Sequence, residues 1–182
     1  MATKSRGYNA EDIEILEDLS PILHRPGMYT DPANPNHALV EVIDNSADEG
    51  LAGFAKNISV TLFEDGSAAV EDDGRGIPVD MHPKKKVPAV QVIFTTLHSG
   101  GKFRKDAVYR IAGGLHGVGV CVTNALGKRL EVEVKRDGAL HRLVFADNGK
   151  VKEPLRKAGV VGAKETGTRI RFWPDPKYFD SA

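Results

Sequence analysis

The chain has 182 residues, 41% hydrophobic and 27% charged, as in an ordinary globular protein, and is long enough to bury about 70% of its unfolded surface around one core. Its 25 basic and 25 acidic residues cancel, which argues against a domain that grips DNA tightly by itself, because such domains carry a basic excess. Cys121 is the single cysteine, so an internal disulfide is excluded; no apolar run reaches the ~20 residues of a membrane span and the start is polar, so the expected setting is the reducing cytoplasm.

Residues 1–15 read as a loose N-terminal arm and 16–182 as one domain. Within 11–19, acids in the first turn predict a short helix. Arg25-Pro26-Gly27 signals a turn, and Pro35 with Asn36 opens the strongest helix, about 36–53, closed by Gly50 or Gly53. Residues 57–63 alternate as a strand, Asp65-Gly66 marks a hairpin, and 68–72 form the return strand. Residues 73–87 are rich in turn formers, and Pro88 opens a helix that reaches about His98. The glycine-rich stretch 99–117 predicts a long mobile loop, followed by a buried helix over 118–126 that Gly127 closes. Residues 129–136 and 139–146 pair about Asp137-Gly138, and 167–173 form the last strand. Hairpin pairs without βαβ alternation predict an α+β fold: a two-layer sandwich of a mostly antiparallel mixed sheet covered on one face by helices.

Four segments carry chemistry. At about 100° per residue, His37, Glu41, Asn45 and Asp48 share one stripe of the 36–53 helix, while Leu39, Val42, Ile43 and Ala47 face elsewhere. Such a stripe is commonly a solvated face. This one has no Lys or Arg for its acids, and a carboxylate beside an imidazole suits water activation while an amide oxygen suits Mg²⁺. The run 71–78, Glu-Asp-Asp-Gly-Arg-Gly-Ile-Pro, follows a strand: it is either an acidic turn or an acceptor for an exocyclic amine, with Gly74 and Gly76 letting a flat ring approach the backbone. Gly113 to Gly119 is either a flexible loop or an anion site of backbone N–H groups opening a helix; it has neither P-loop spacing nor a Rossmann context. In 97–103, Lys102 is either a solvated lysine or a phosphate ligand on a lid. Cys121 and Trp173 read as structural, and Lys84-Lys85-Lys86 as a solvated charged turn, with contact to DNA as the lesser alternative.

In this order the segments resemble the GHKL ATPases, the superfamily of topoisomerase B subunits, heat-shock chaperones, mismatch-repair clamps and histidine kinases. Glu-x-x-x-Asn on a helix, Asp-Asp-Gly-Arg-Gly-Ile-Pro, Gly-Gly-Leu-His-Gly-Val-Gly and Thr166-Gly167-Thr168 carry the likeness. Arg25-Pro26-Gly27-Met28-Tyr29, the lid segment 97–103 and Arg171-Phe172-Trp173-Pro174 look like the B subunits of bacterial type II topoisomerases. Tyr29-Thr30-Asp31, Pro35-Asn36-His37 and Asp44-Asn45-Ser46 look more like the topoisomerase IV type than the gyrase type.

The resemblance implies ATP and Mg²⁺ as cofactors. It implies Glu41 as the general base with His37 orienting it, and Asn45 as the Mg²⁺ ligand. Asp72 would pair with the adenine amine, with Thr168 as its water-sharing neighbour. Gly114, Leu115, His116, Gly117, Val118, Gly119 and Val120 would form the phosphate loop, with Lys102 and Tyr109 on the lid and Tyr8 on an arm reaching the partner's nucleotide. Arg75, Pro78 and Arg136 would form the rim where aminocoumarin-type inhibitors compete, beside Gly76, and Val42, Val70, Ile93 and Ile170 would line the apolar floor. The implied partners are a second copy of the chain, the topoisomerase A subunit and DNA, the last two through domains not in this sequence; the chain is expected to be a fragment that turns ATP over poorly. The rivals are a gyrase-type B subunit, a clamp or histidine kinase of the same fold, a non-catalytic nucleotide-regulated dimerisation module and a plain structural domain. Residues 1–19 lack the histidine a kinase of this kind would use.

Overall fold

The computed structural model describes residues 18–97 and 119–179. In chain order the elements are α1 (Ser20–His24), a 3₁₀ turn (Pro26–Met28), α2 (Asn36–Leu51), β1 (Ile58–Leu62), β2 (Ala68–Asp72), α3 (Ala89–Thr95), α4 (Gly119–Ala125), β3 (Gly127–Arg136), β4 (Ala139–Ala146), β5 (Lys150–Val160) and β6 (Gly167–Pro174). The six strands form one sheet in the order β1-β2-β6-β3-β4-β5. Every pairing is antiparallel, so the expected mixed sheet is purely antiparallel among the described residues. The cause is local: the β1–β2, β3–β4 and β4–β5 connections are tight turns, and β6 enters between β2 and β3 with opposite polarity to both.

Residue alternation assigns the two faces. Along β3, Leu130, Val132 and Val134 are buried, while Glu131, Glu133 and Lys135 between them are half-buried on the other side. The apolar face packs with Ile22 of α1, Leu39 and Val42 of α2, Phe94 of α3 and Val122 of α4 into one core. The opposite face is a lattice of ion pairs. Arg169 lies between Glu133 (3.3 Å) and Glu71 (3.9 Å), Arg142 reaches Glu131 (3.1 Å) and Glu153 (2.8 Å), and Lys135 reaches Glu71 and Glu165, both at 3.2 Å. The β1–β2 turn is tied to β6 through Asp65, which accepts from Arg171 Nη2 at 3.0 Å and from Trp173 Nε1 at 2.9 Å.

Two elements differ from the sequence expectation. Of the helix expected at 11–19, only Asp18 and Leu19 are described; neither is helical, and α1 starts at Ser20, where Pro21 sits in the first turn with a preset φ. Strand β5 has no counterpart in the sequence expectation. Its residues are exposed almost throughout and include Pro154 and Gly159, so it has no inward apolar alternation; pairing with β4 alone makes it a strand. The expected loop at 99–117 lies outside the described residues.

The first turn after β2 is held by Asp73. Its carboxylate accepts the Lys56 N–H (2.7 Å), the Asn57 N–H (2.9 Å) and Asn57 Nδ2 (2.7 Å), which clamps the start of β1 to the end of β2. These donors, chiefly those of Asn57, pull its carboxyl down to about 2. A depressed folded value means that the stabilisation is fully present above the ordinary carboxylate range and is lost as pH falls through about 2. Acid titration of the wild type and Asp73→Asn, followed by circular dichroism, is expected to show a destabilised variant near neutrality and a gap that closes progressively below about pH 4.

Candidate functional site

The polar stripe of α2 is not a solvated face. Asp48 is 1% exposed, and His37, Glu41 and Asn45 are half-buried, whereas Val40 on another side is exposed. The stripe is turned towards α4, the helix that follows the glycine-rich segment. α4 is buried from Val120 to Ala125 and pinned at two points: Thr123 Oγ1 donates to Ala38 O of α2 (2.7 Å) and Asn124 Nδ2 to Phe94 O of α3 (2.9 Å). Gly119 stands directly against the Glu41 carboxylate, so that any side chain there would collide with it. A carboxylate is thereby fixed beside the first residue of a helix that ends a glycine run. His37 shares a hydrogen bond of 2.9 Å between Nδ1 and Thr30 Oγ1, and Thr30 is itself buried. Asn45 lies one turn after Glu41 and its amide has no hydrogen-bond partner among the described residues.

A second carboxylate closes the other end of the site. Asp72, the last residue of β2, is 7% exposed. Ser46 Oγ of α2 donates to its Oδ2 (2.8 Å) and the Gly74 N–H donates to its Oδ1 (3.0 Å). Burial raises its carboxyl above the ordinary range and the nearby Glu49 charge adds to the rise, while the Ser46 and Gly74 donors oppose it. Thr168 faces Asp72 across the β2–β6 pairing and its hydroxyl accepts the Ile77 N–H at 3.2 Å. Gly167 before it has a φ of 149°, and a Cβ there would run into the Asp72 carbonyl. This close approach draws the end of β6 against the end of β2.

A rim surrounds Asp72. Arg75 is held by Glu49 through Nε (3.1 Å) and Nη2 (2.7 Å) and lies 3.7 Å from the centre of the Phe54 ring. The bidentate pair and the stacked ring leave the guanidinium little freedom. Arg136 Nη1 donates to the Gly76 carbonyl at 2.9 Å, and Gly76 itself, at φ 74°, lies too close to Lys135 O to take a side chain. Pro78 is exposed beside them. Val42, Val70 and Ile170 are core residues with Ile93 packed against them, so the four floor residues expected from the sequence fall into one cluster.

Glu41 and Gly119 thus meet at the junction of α2 and α4, and Asp72, Arg75, Gly76, Arg136 and Thr168 meet at the adjoining ends of β2 and β6, the two groups being joined through α2, which carries Glu41, Asn45 and Ser46. Tyr8, Lys102, Tyr109 and the segment 114–118 lie outside the described residues. Sequence reasoning missed Ser46 and Glu49 as working parts of the site. Both lie on α2, 26 positions before the residues that they hold, and nothing in the mostly polar run 44–49 sets them apart from their neighbours. Among the described residues no cluster of three or more His, Cys, Asp or Glu is arranged to hold a metal ion.

The model of the family described as histidine kinase-, DNA gyrase B- and HSP90-like ATPase matches residues 30–177. The B subunit of DNA topoisomerase 4 from Francisella tularensis subsp. holarctica (strain LVS) is 57% identical over 175 residues, covering 96% of this chain and 28% of that protein. The B subunit of DNA gyrase from Thermus thermophilus is 51% identical over 175 residues, covering 94% of this chain and 27% of that protein. The solved topoisomerase IV ATP binding domain of Francisella tularensis, in complex with a small-molecule inhibitor, superposes with a TM-score of 0.79 at 51% identity over 92% of this chain and 77% of that one. The chain therefore spans under a third of the length of the curated relatives it matches. With the family model covering most of the chain, and the carboxylates, glycines and rim brought together as described, the chain belongs to the histidine kinase-, DNA gyrase B- and HSP90-like ATPase family.

Proposed function

We propose that the chain binds ATP with Mg²⁺ and hydrolyses it, as the ATP-driven gate of a bacterial type II topoisomerase of the topoisomerase IV type. The observation that carries this reading is Asp72, a buried carboxylate at a strand end whose two oxygens are already oriented by Ser46 and Gly74. A second lone pair on Oδ1 remains for an exocyclic amine. Adenine is then the base, Thr168 shares a water with it, and Ile93, Arg75, Pro78 and Arg136 bound it as the inhibitor rim.

At the other end, Glu41 takes the proton of the water that attacks the γ-phosphate, and His37, braced by Thr30, orients it. The half-buried Asn45 amide, free of partners among the described residues, supplies one oxygen to Mg²⁺, an ion that keeps waters and phosphates as its other ligands and there offsets phosphate charge. The run from Gly114 to Val120 cradles the phosphates, Lys102 and Tyr109 reach them from the lid, and Tyr8 reaches the nucleotide of a second copy. ATP binding orders these segments and closes two copies around a DNA segment, which is the kind of γ-phosphate switching that ordered loops perform. The topoisomerase A subunit is the other partner, in the cytoplasm. A gyrase-type B subunit is the second reading, because a gyrase relative is also 51% identical.

Calorimetric titration of a non-hydrolysable ATP analogue with Mg²⁺ tests the site. Asp72→Asn is expected to weaken binding by roughly 1.5–3 kcal/mol, one to two powers of ten, and equal binding by both proteins would move the base elsewhere. In the full-length protein, Glu41→Ala is expected to slow ATP hydrolysis roughly 10²- to 10⁴-fold while analogue affinity changes little. Unchanged turnover would remove Glu41 from the proton transfer.

A further inference from the structure

The three lysines at 84–86 have no part in the site described above, yet they are held in a built turn. Residues 81 and 88 form an antiparallel bridge, and the His82 N–H donates to Val87 O (2.8 Å). Inside that neck, the Lys86 N–H donates to His82 O (3.0 Å) and the Lys85 N–H to His82 Nδ1 (3.2 Å). The Ala89 N–H donates to Asp80 O (2.8 Å), fastening the turn to the start of α3. Pro83 and all three lysines are exposed at the tip.

Two features set this turn apart from an ordinary solvated loop. Lys86 has a φ of 57°, the left-handed region that a glycine or asparagine occupies at little cost and a lysine occupies under strain. Three like charges in succession also repel one another. On the sheet, Arg142, Arg169, Arg171 and Lys135 are matched with carboxylates, whereas Lys150 and Lys152 of β5 have no ion pair among the described residues. Lys84 and Lys86 have no such partner among the described residues. A chain of zero net charge thus holds three adjacent lysines on an exposed, hydrogen-bonded turn.

We propose that the Lys84–Lys86 turn is a contact for the phosphate backbone of double-stranded DNA. This rests on the topoisomerase reading above, which makes DNA a partner. Duplex DNA carries about one charge per 1.7 Å of axis, so a compact cluster meets several phosphates wherever it lands and needs no base contact. The tip residues belong to no strand and are almost wholly polar, so they lack the sheet edge, groove or aromatic pocket that peptide recognition uses. The contact is weak and positional, in keeping with the balanced net charge: it orients a duplex against the domain while the main grip lies elsewhere.

The test is the salt dependence of binding of a short fluorescent DNA duplex to the 182-residue chain, read by anisotropy between about 50 and 200 mM salt. The variant is Lys84→Ser with Lys85→Ser and Lys86→Asn, since asparagine relieves the left-handed position and keeps the turn. The control is Lys150→Ser with Lys152→Ser on β5. The wild type is expected to show a slope of log K against log salt steeper than that of the turn variant by about three, roughly one per lysine, and the control is expected to keep most of the wild-type slope on a per-charge basis. The proposal is overturned if the turn variant keeps the wild-type slope, if the control loses as much per charge as the turn variant, or if the wild type binds no DNA at the low-salt end. A poly-glutamate peptide that binds the turn more tightly than DNA at equal salt also overturns it, assigning the surface to an acidic protein segment. Titration of the same proteins with the ATP analogue separates the two readings. Normal nucleotide binding with no turn-dependent DNA slope sinks this proposal alone, whereas a wild type that binds no nucleotide sinks the functional reading.

Discussion

A carboxylate buried at the end of a strand is costly unless its surroundings answer it, and the architecture converges on answering Asp72. α2 brings Ser46 to one oxygen, the turn after β2 brings the Gly74 N–H to the other, and β6 lays Thr168 opposite. Each contributor depends on a separate constraint. Ser46 is in place because Leu39 and Val42 dock α2 on the sheet, Gly74 because Glu49 and Arg75 lock the turn, and Thr168 because Gly167 lets β6 pass close to the β2 backbone. Even so, burial outweighs these donors and the carboxyl stays above its ordinary range.

The two faces of the sheet divide the remaining work. The helix side is a continuous apolar core, and only there do the helices that carry Glu41, Asn45 and Gly119 find surface to pack on. The opposite side alternates carboxylates with guanidinium groups strand by strand, with Glu71 and Glu133 flanking Arg169 across the β2–β6–β3 pairings. Exposed pairs of this kind add little stability singly, about 0–1 kcal/mol each, but opposite charges at facing positions favour one register over its neighbours. Register matters here because a one-residue slip of β6 would remove Thr168 from Asp72 and turn the core face of that strand outward.

Much of this was legible in the residues because the strongest signals are local. Strands β2 and β4 have the bounds that alternation and their flanking turns mark, and α2 ends at Leu51 where Gly53 supplies a φ of 79°. The helix expected over 118–126 is described from Gly119 and ends at Ala125, just before Gly127. β5 was hidden for the opposite reason: Pro154, Gly159 and a run of exposed charges give it no periodicity, and it is a strand only through its neighbour. In the site, the carboxylates, glycines and asparagine announced themselves by residue type and spacing. Ser46 and Glu49 did not, since their significance is the company they keep across 26 residues of sequence, which no local pattern encodes. The burial of Asp48 was likewise beyond a helical wheel, which shows a shared face and not what covers it.

The central claim is that Asp72 recognises a base through its exocyclic amine. The most direct measurement compares the affinities of the ATP analogue and its inosine counterpart, which presents a carbonyl oxygen in place of the amine. An acceptor facing a carboxylate leaves both unpaired, so the account predicts a preference for adenine of roughly one to two powers of ten. It also predicts that Asp72→Asn, which can donate to that carbonyl, narrows or reverses the preference. Equal affinity of the wild type for the two nucleotides would contradict the account.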